Sequence, residues 1–314
     1  MKIPDRNDLD LAWERISKRL KPTPVLRSSS LDRMAEAELF FKCENFQKTG
    51  SFKARGAYNA VCALNQGKRS RGVATHSSGN HGQALAWAAQ VHGLTAQVVM
   101  PENAPQVKKE ATEGYGARIT FCAPSQEARE STLKQVIAES GASFIPPYDH
   151  PWVIAGQSTC LREILAEEGQ LDAVITPVGG GGLLSGTLLA ARNYSQGLAV
   201  YGTEPEQADD AYRSIKSGVR VESHQPDTIA DGLRTTLGEL NFSIIRERVA
   251  DILLVSEVEI IAAMKLIWER LKIIVEPSCA VPLAAVLRNP SLFRGKRVAI
   301  VLTGGNADLN ALPF

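Results

Sequence analysis

The chain has 314 residues, of which 44% are hydrophobic and 22% charged, and its formal net charge is +1. This length suits one large α/β unit or two lobes with separate cores. A net charge near zero provides no field of one sign, so no nucleic-acid partner and no membrane partner are expected.

Short β-rich runs alternate along the chain with longer stretches rich in Ala, Leu, Glu and Gln. This alternation is typical of an α/β fold in which helices cover both faces of largely parallel sheets. The predicted strands are, in chain order, 39–42, 72–75, 96–100, 118–121, 173–176, 199–202, 252–255 and 297–302. The predicted helices are 52–64, 83–92, 126–140, 154–168, 183–192 and 257–271.

A Pro-rich stretch at 145–152 interrupts this alternation and is a candidate crossing between domains. Three β-α units that precede it are expected to form a compact smaller lobe. We therefore predict a small domain over residues 72–148 and a large domain made of residues 1–71 and 149–314. In open α/β sheets ligands bind beyond the carboxyl ends of the strands, so the loops that follow strands should carry the chemistry.

The cysteines and the N-terminus indicate the cellular setting. The five cysteines stand at no CxxC or metal-ligand spacing, and their number is odd. A reduced setting fits them better than a disulfide framework. The charged N-terminus does not resemble a signal peptide, and no apolar run approaches the roughly 20 residues that span a bilayer. A cytoplasmic protein is expected.

Four consecutive glycines follow the strand predicted at 173–176. Without Cβ atoms, the backbone N–H groups of such a loop can close around an anion, and the next helix adds its dipole. The run lacks the Lys-Ser/Thr ending of a nucleotide P-loop and the spacing of a dinucleotide fingerprint. It predicts a site for one phosphate monoester, with an empty flexible turn as the alternative. The glycines are Gly179, Gly180, Gly181 and Gly182.

A second loop, Lys48-Thr-Gly-Ser-Phe-Lys-Ala-Arg-Gly56, leads into the predicted helix 52–64. Ser51 is predicted to cap that helix, which places Lys53 in its first turn. The helix N-terminus already carries partial positive charge. Together with burial, this position would lower the pKa of Lys53 and favour the neutral amine that forms an imine. A solvent-exposed lysine is the alternative.

Two further loops complete the pattern. Thr75-His-Ser-Ser-Gly-Asn-His-Gly82 offers hydroxyls, an amide and helix-start N–H groups to a carboxylate, although a plain N-cap turn would look alike. Thr303 directly follows the strand 297–302, and its hydroxyl can meet a ring nitrogen as an uncharged partner. The alternative is that Thr303 only forms part of a turn. A phosphate cradle, an activatable lysine, a carboxylate cup and a neutral ring partner together describe a site for pyridoxal 5′-phosphate (PLP) and a small amino acid.

The segments KTGSFKARGA, SSGNHGQAL, VIAGQST, PVGGGGLLSG and LTGGN resemble the serine racemase and serine/threonine dehydratase group of fold-type II PLP enzymes. The resemblance covers nearly the whole chain. It implies the tryptophan synthase β-like α/β fold, with two domains of mostly parallel twisted sheets flanked by helices. It also implies racemisation of serine together with β-elimination to pyruvate and ammonia. The alternatives are a dehydratase of L-threonine, L-serine or L-threo-3-hydroxyaspartate without significant racemisation, and a non-catalytic PLP or nucleotide sensor.

The resemblance also assigns the contacts of cofactor and substrate. Lys53 becomes the Schiff-base lysine and Phe52 flanks the ring, while Asn80 meets the ring 3-hydroxyl and Thr303 the pyridine nitrogen. The phosphate is assigned to Gly179, Gly180, Gly181 and Gly182, and Leu183 is a further cofactor contact. The residues assigned to substrate binding are Ser77, Ser78, Asn80, His81, Arg129 and Thr235. Arg129 could bind a second substrate carboxylate, or it could lie on an exposed helix face.

Ser78 has a further role under this resemblance. Racemisation needs acid/base groups on opposite faces of a planar carbon. Lys53 serves one face, and Ser78 resembles the hydroxyl that serves the other; carboxylate binding alone is the alternative for Ser78. Tyr148, Arg234 and Thr235 depart from the racemase pattern, which leaves the balance between racemisation and elimination open.

The resemblance finally implies a divalent-metal loop, a homodimer and an allosteric ATP site at a subunit interface. Glu204 and Asp210 would supply carboxylate oxygens and Ala208 a backbone carbonyl, which are hard ligands suited to Mg²⁺, Ca²⁺ or Mn²⁺. An acidic surface turn is the alternative. The nucleotide contacts would be Ser28, Ser29, Ser30, Lys48, Thr49, Gln83, Tyr115, Lys272 and Asn306.

Overall fold

The structure, a computed structural model, describes residues 1–104 and 106–314. Its strands form two separate sheets, one of six strands and one of four. In chain order the strands are β1 Val25–Leu26, β2 Glu38–Cys43, β3 Val73–His76, β4 Ala96–Pro101, β5 Arg118–Cys122, β6 Ser143–Phe144, β7 Ala173–Pro177, β8 Ala199–Pro205, β9 Asp251–Val255 and β10 Arg297–Leu302.

Helices separate most of these strands. In chain order they are α1 Arg6–Ser17, α2 Ser29–Ala35, α3 Lys53–Ala63, α4 Gln66–Arg69, α5 Asn80–Val91, α6 Gln106–Gly114, α7 Gln126–Ser140, α8 Pro151–Glu168, α9 Gly182–Tyr194, α10 Asp210–Ser217, α11 Glu239–Arg248, α12 Glu257–Leu271, α13 Pro277–Arg288 and α14 Pro290–Phe293. Short 3-10 turns lie at Glu44–Phe46, Lys48–Gly50 and Asp231–Leu233.

The six-stranded sheet has the order β1-β2-β10-β7-β8-β9 and is parallel except for β1, which runs antiparallel to β2. The four-stranded sheet has the order β5-β4-β3-β6 and is parallel throughout. All eight predicted strands are present with small differences at their ends, so the prediction of largely parallel sheets is confirmed. Two strands, β1 and β6, were not predicted because each has only two residues.

Both faces of the six-stranded sheet are buried. In β10, Val298 and Ile300 belong to the core that lies under α12 and α13, whereas Ala299 and Val301 belong to the core under α8 and α9. Side chains alternate between the faces of a strand, so a sheet covered on both sides requires continuous apolar runs. The apolar run of β10 meets this requirement.

The four-stranded sheet consists of strands that all lie within residues 72–148. Its core, however, also contains side chains from outside that range, including Ala57 and Val61 of α3 and Val153 of α8. The domain boundaries therefore stay a prediction. Among the described residues, no helix is long and apolar enough to cross a membrane.

Three helices cross at glycines and thereby set the distance between two of the predicted loops. A Cβ atom on Gly156 of α8 would lie 2.7 Å from the carbonyl oxygen of Arg55 and 2.7 Å from Cα of Gly56, both in α3. A Cβ atom on Gly186 of α9 would lie 2.7 Å from the carbonyl oxygen of Ile154 in α8. Close backbone contact thus links the helix that begins at the predicted lysine to the helix that follows the glycine loop.

Candidate active site

Lys53 lies in the first turn of α3, as predicted, but Ser51 does not cap this helix. The residue before the helix is Phe52, whose N–H donates to the carbonyl oxygen of Thr303 at 3.0 Å. Ser51 is extended, forms a β-bridge with Gly304, and its hydroxyl has no partner among the described residues. The predicted Ser51 cap is therefore wrong, because the loop is tied to the C-terminal segment instead of turning back onto the helix.

The Lys53 amine is partly buried beside two aromatic rings. Its Nζ donates to the carbonyl oxygen of Pro147 at 2.8 Å and lies 5.1 Å from the ring centroid of Phe52 and 5.9 Å from that of Tyr148. Burial lowers the pKa of Lys53 to about 8, although the carboxylate of Glu276 opposes the shift. The prediction of a lowered lysine pKa is confirmed in direction, and burial is its main cause.

The glycine loop presents backbone N–H groups to the space in front of α9. Gly181 has a φ of +88°, which favours glycine, and α9 begins at Gly182. The carbonyl oxygen of Gly180 points away, since it accepts from Asn241 Nδ2 at 2.7 Å and from the N–H of Gly238 at 3.2 Å. Among the hydrogen bonds of the described residues, none uses the N–H groups of the four glycines. This arrangement fits one anion at a helix N-terminus.

Side chains are excluded from the glycine loop by its neighbours. A Cβ atom on Gly180 would lie 2.2 Å from the ring of Tyr148, and one on Gly179 would lie 3.2 Å from Oγ1 of Thr235. Thr235, predicted as a substrate contact, therefore lies against the predicted phosphate loop.

The asparagine loop connects β3 to α5 and holds Asn80 in a hydrogen-bonded chain. The N–H of Gly79 donates to Oγ of Ser77 at 3.3 Å. Asn80 Nδ2 donates to both carboxylate oxygens of Glu276, at 2.9 and 3.1 Å. Asn306 Nδ2 donates to Asn80 Oδ1 at 2.8 Å. Two side chains that the sequence interpretation did not link to Asn80 thus fix the orientation of its amide.

Glu276 is the main site residue that the sequence interpretation missed. It is 5% exposed, and burial together with the nearby Asp231 carboxylate raises its pKa to about 7. The available signal was an acidic residue immediately before Pro277, at the start of the buried apolar helix α13. That signal is weak, because an acid before Pro at a helix start also suits an ordinary helix N-terminus.

His81 is buried in a neutral state. Its Nε2 lies 3.0 Å from the carbonyl oxygen of Ile145, to which it donates, while Nδ1 has no partner among the described residues. Burial and the neighbouring Lys53 lower the pKa of His81 to about 3. Ser77 and Ser78 lie partly exposed in the same turn. The substrate roles of these residues stay predictions.

Arg129, the candidate partner of a second carboxylate, lies half-buried on α7. Its Nε is buried without a hydrogen-bond partner, and it forms no ion pair with the described residues. The pKa of His76, at the end of β3, is lowered mainly by burial. The charge of Glu130 opposes this shift, and the positive charge of Arg129 adds to it. Arg129 therefore lies near the strand end that leads into the asparagine loop.

Thr303 lies at the end of β10 and is 3% exposed. Its Oγ1 lies 3.3 Å from Sγ of Cys279, and its carbonyl oxygen anchors the N–H of Phe52 next to Lys53. The glycine N–H groups, the Lys53 amine with its lowered pKa and the Thr303 hydroxyl together provide the donors that PLP requires. The residues present therefore fit this cofactor.

The predicted metal loop contains two fully buried carboxylates. Glu204 accepts from two backbone N–H groups of α10, and Oδ2 of Asp210 accepts from the N–H of Leu237 at 2.8 Å. Oδ1 of Asp210 has no hydrogen-bond partner, and Nε2 of His224 lies 3.5 Å from it. Burial and the charge of Asp210 raise the pKa of Glu204. Ala208 is buried beside them.

A cation between Glu204 and Asp210 would relieve their mutual repulsion and engage the unpaired oxygen, so these residues fit a divalent metal. Within the described part of the chain, no cluster of three or more His, Cys, Asp and Glu side chains is arranged to hold a metal ion. The site would therefore depend on the backbone carbonyl of Ala208 and on water as additional ligands.

The residues predicted to contact a nucleotide are only partly brought together. Asn306 Nδ2 donates to the carbonyl oxygen of Thr49 at 2.8 Å, and Oγ of Ser28 lies 3.0 Å from Oγ of Ser30. Asn306 is thereby engaged inside the protein, between Thr49 and Asn80. The nucleotide site stays a prediction. Its other members are Ser29 in α2, Lys48 in a 3-10 turn, Gln83 in α5, Tyr115 after α6 and Lys272 after α12.

Comparison with known proteins agrees with this geometry. The family described as "Pyridoxal-phosphate dependent enzyme" matches residues 16–304. A β-hydroxyaspartate dehydratase of Paracoccus denitrificans is 49% identical over 100% of both chains. A serine racemase of Dictyostelium discoideum is 50% identical over 97% of this chain and 95% of its own. An L-threo-3-hydroxyaspartate ammonia-lyase of Saccharomyces cerevisiae is 48% identical over 98% of this chain and 95% of its own.

Solved structures show the same fold. The crystal structure of the Dictyostelium discoideum serine racemase matches with a TM-score of 0.93 at 50% identity, over 98% of this chain and 99% of its own. The structure of maize serine racemase matches with a TM-score of 0.96 at 41% identity, over 98% of this chain and 95% of its own. The predicted fold-type II architecture and the resemblance are confirmed.

Proposed function

Because the chain belongs to the family of pyridoxal-phosphate dependent enzymes, we propose that it interconverts L- and D-serine and also eliminates serine to pyruvate and ammonia. Membership makes it a PLP-dependent racemase or ammonia-lyase. The observation that carries the proposal is the Lys53 amine, whose pKa of about 8 favours its use as a base. The amine lies 5.9 Å from the ring centroid of Tyr148, and that ring packs against Gly180 of the glycine loop. A base is most effective when its pKa is near the working pH.

The proposed chemistry divides between the cofactor and the side chains. PLP, when bound, withdraws electrons from the α-carbon of the amino acid attached to it. The Lys53 amine removes the α-proton on one face, and the Ser78 hydroxyl returns a proton on the other. The N–H groups of the glycine loop hold the phosphate, and those at the start of α5 hold the substrate carboxylate. The Thr303 hydroxyl meets the ring nitrogen.

Two substitutions test this assignment. Lys53→Ala should abolish the visible absorbance of covalently bound PLP and all turnover, whereas the exposed Lys68→Ala should change neither. Ser78→Ala should remove racemisation while retaining most elimination of L-serine. If racemisation and elimination fell together in Ser78→Ala, the opposed acid/base assignment would be wrong.

Elimination from L-threo-3-hydroxyaspartate is a second candidate function, and Arg129 favours it. Its Nε is buried without a partner, which leaves a guanidinium available to a second substrate carboxylate. Arg129→Met should then lower kcat/KM for hydroxyaspartate by about 10- to 100-fold, the loss expected for a charge-assisted pair. Serine serves as the internal control, since it has no second carboxylate. Equal losses for both substrates would contradict this role.

We propose that Glu204, Asp210 and Ala208 hold a divalent cation. The support is the unpaired Oδ1 of Asp210 in a fully buried position next to a second carboxylate. Mg²⁺, Ca²⁺ or Mn²⁺ should raise the unfolding temperature of the holoenzyme, by an amount that grows with cation concentration. Asp210→Asn should abolish that rise. An unchanged unfolding temperature of the wild type with all three cations would contradict the site.

We further propose a cytoplasmic homodimer with an ATP effector site, on the support of the resemblance. Sedimentation of the holoenzyme should give twice the mass of the chain. ATP should raise the rate of serine elimination, and Lys272→Ala should weaken that response. A monomer, or a rate independent of ATP, would contradict the corresponding proposal.

A further inference from the structure

Cys279 is a buried group that the proposed mechanism does not use. It lies in the first turn of α13, is 0% exposed, and its N–H donates to the carbonyl oxygen of Glu276 at 3.0 Å. Its Sγ contacts three atoms of the C-terminal loop. These are Oγ1 of Thr303 at 3.3 Å, the N–H nitrogen of Gly304 at 2.9 Å and the carbonyl oxygen of Gly304 at 2.7 Å. The sulfur therefore lies directly behind the hydroxyl assigned to the ring nitrogen.

The hydrogen bonds around this sulfur can be ordered by strength. Burial raises the pKa of the Cys279 thiol, so it carries a proton. That proton goes to the carbonyl oxygen of Gly304, which is both nearer and a better acceptor than the Thr303 hydroxyl. The N–H of Gly304 in turn donates to the sulfur. The sulfur is left as a weak acceptor facing the Thr303 hydroxyl.

A weak acceptor behind the Thr303 hydroxyl has a specific chemical effect. A pyridine nitrogen accepts hydrogen bonds more strongly than a thiol sulfur does. The Thr303 proton is consequently not taken by Cys279 and remains available to the cofactor. At the same time the sulfur occupies the space into which the hydroxyl would otherwise turn, which favours one staggered position of the Thr303 side chain.

We propose that Cys279 is a positioning residue that directs the proton of the Thr303 hydroxyl toward the ring nitrogen of PLP. The inference rests on the proposed function, in which Thr303 meets that nitrogen. Cys279 touches neither substrate nor cofactor and acts through Thr303 alone. Its removal changes how firmly the ring nitrogen is hydrogen-bonded, and so how well the cofactor supports loss of the α-proton.

The test uses the holoenzyme reconstituted with PLP that carries ¹⁵N in the ring. The ¹⁵N resonance of the bound cofactor reports the hydrogen bond at that nitrogen without any turnover. Cys279→Ala should shift this resonance, because the sulfur that holds the Thr303 side chain in one staggered position is gone. Cys279→Ser should shift it as well, because a serine hydroxyl accepts the Thr303 proton more strongly than a thiol sulfur does. Cys160→Ala is the matched control, because Cys160 is also 0% exposed but lies in α8 away from Thr303. It should leave the resonance unchanged.

A second readout is the rate at which L-serine exchanges its α-hydrogen in D₂O. Cys279→Ala should lower this rate by about 2- to 10-fold, the equivalent of one neutral hydrogen bond. Cys160→Ala should leave it unchanged.

Thr303→Val distinguishes failure of this inference from failure of the site assignment. If Thr303→Val shifts the resonance but Cys279→Ala does not, the positioning role of Cys279 is wrong and the ring contact of Thr303 stands. If neither variant shifts it, the ring contact itself is wrong and the inference falls with it. A shift of equal size in Cys160→Ala would show a general effect of lost packing and would also overturn the proposal.

Discussion

Burial affects the pKa of the Lys53 amine more than any neighbouring charge does. Its pKa is lowered from 10.5 to about 8, and the one opposing influence is the carboxylate of Glu276. Only the neutral amine attacks a carbonyl group. Covalent capture of PLP by the apo protein should therefore accelerate as pH rises, with a midpoint near 8 instead of 10.5. Stopped-flow absorbance between pH 6 and about 10 measures this directly.

Glu276→Gln should strengthen this effect, because it removes the negative charge that raises the Lys53 pKa. The midpoint for capture should move to lower pH in that variant. Lys53→Ala provides the baseline for non-covalent binding. A wild-type midpoint above about 10, the value of an ordinary lysine, would contradict burial as the controlling factor.

Glu276 itself links proton binding to stability. Its pKa is raised from 4.5 to about 7, so between these values the folded apo protein binds a proton that the unfolded chain has released. Its contribution to stability is therefore fully present at or below pH 4.5 and is lost as pH rises to about 7. In Glu276→Gln this dependence disappears. The variant should gain up to about 3 kcal/mol relative to wild type between acidic and neutral pH.

Urea unfolding of the apo proteins at a series of pH values measures that gain. The matched control is Glu113→Gln, which removes an exposed carboxylate of α6 and should show no such trend. A parallel pH dependence for Glu276→Gln and wild type would mean that Glu276 titrates at its ordinary value.

The residues that sequence patterns revealed differ from those they missed in how local their signals are. The glycine run and the start of α3 at Lys53 are encoded by neighbouring residues. Asn80 is held by Glu276, 196 positions away, and by Asn306, 226 positions away. No local pattern specifies such contacts, so their roles were accessible only from the fold. The prediction of a Ser51 cap was wrong for the same reason, since the backbone of Ser51 pairs with the distant Gly304.

At the scale of elements, close helix crossings fix the lysine relative to the phosphate loop. Gly156→Ala should place a Cβ atom 2.7 Å from backbone atoms of α3, which cannot yield without moving the helix that carries Lys53. The expected cost is about 1–3 kcal/mol of unfolding free energy, with a weaker PLP affinity. Gly114→Ala is the control, since nothing lies within 4 Å of its added Cβ. Equal PLP affinity in the two variants would contradict this role of the crossing.

Element predictions succeeded for the strands and for several longer helices, whereas helices were missed for more than one reason. All eight predicted strands were found. Helix α13 was missed because nine of its twelve residues are buried, so it has no polar face to mark a helical period. Helix α1 was also missed, although its start is encoded locally, since Asp5 and Asp8 form a capping box there.

Across the whole molecule, a buried ion network joins the six-stranded sheet to the helices that carry the site. Arg55 of α3 pairs with Glu44 at 2.7 Å and with Glu163 of α8 at 2.6 Å. Lys42 of β2 pairs with Glu163 at 2.8 Å. All four side chains are at most 6% exposed. The two negative and two positive charges neutralise each other. Removing any one of these side chains would leave a buried charge without a partner, which is strongly destabilising.

Arg55→Met should leave Glu44 and Glu163 under-compensated in a region without solvent. Breaking a buried pair in this way typically costs about 3–5 kcal/mol, and urea unfolding of the apo protein would measure it. Arg294→Met offers a comparison, because its pair with Glu36 is exposed at 64% and 53% and should be worth under about 1 kcal/mol. Since Arg55 lies two positions after Lys53, the first variant should also weaken PLP binding. Equal stability of the two variants would mean that the network does not hold these layers together.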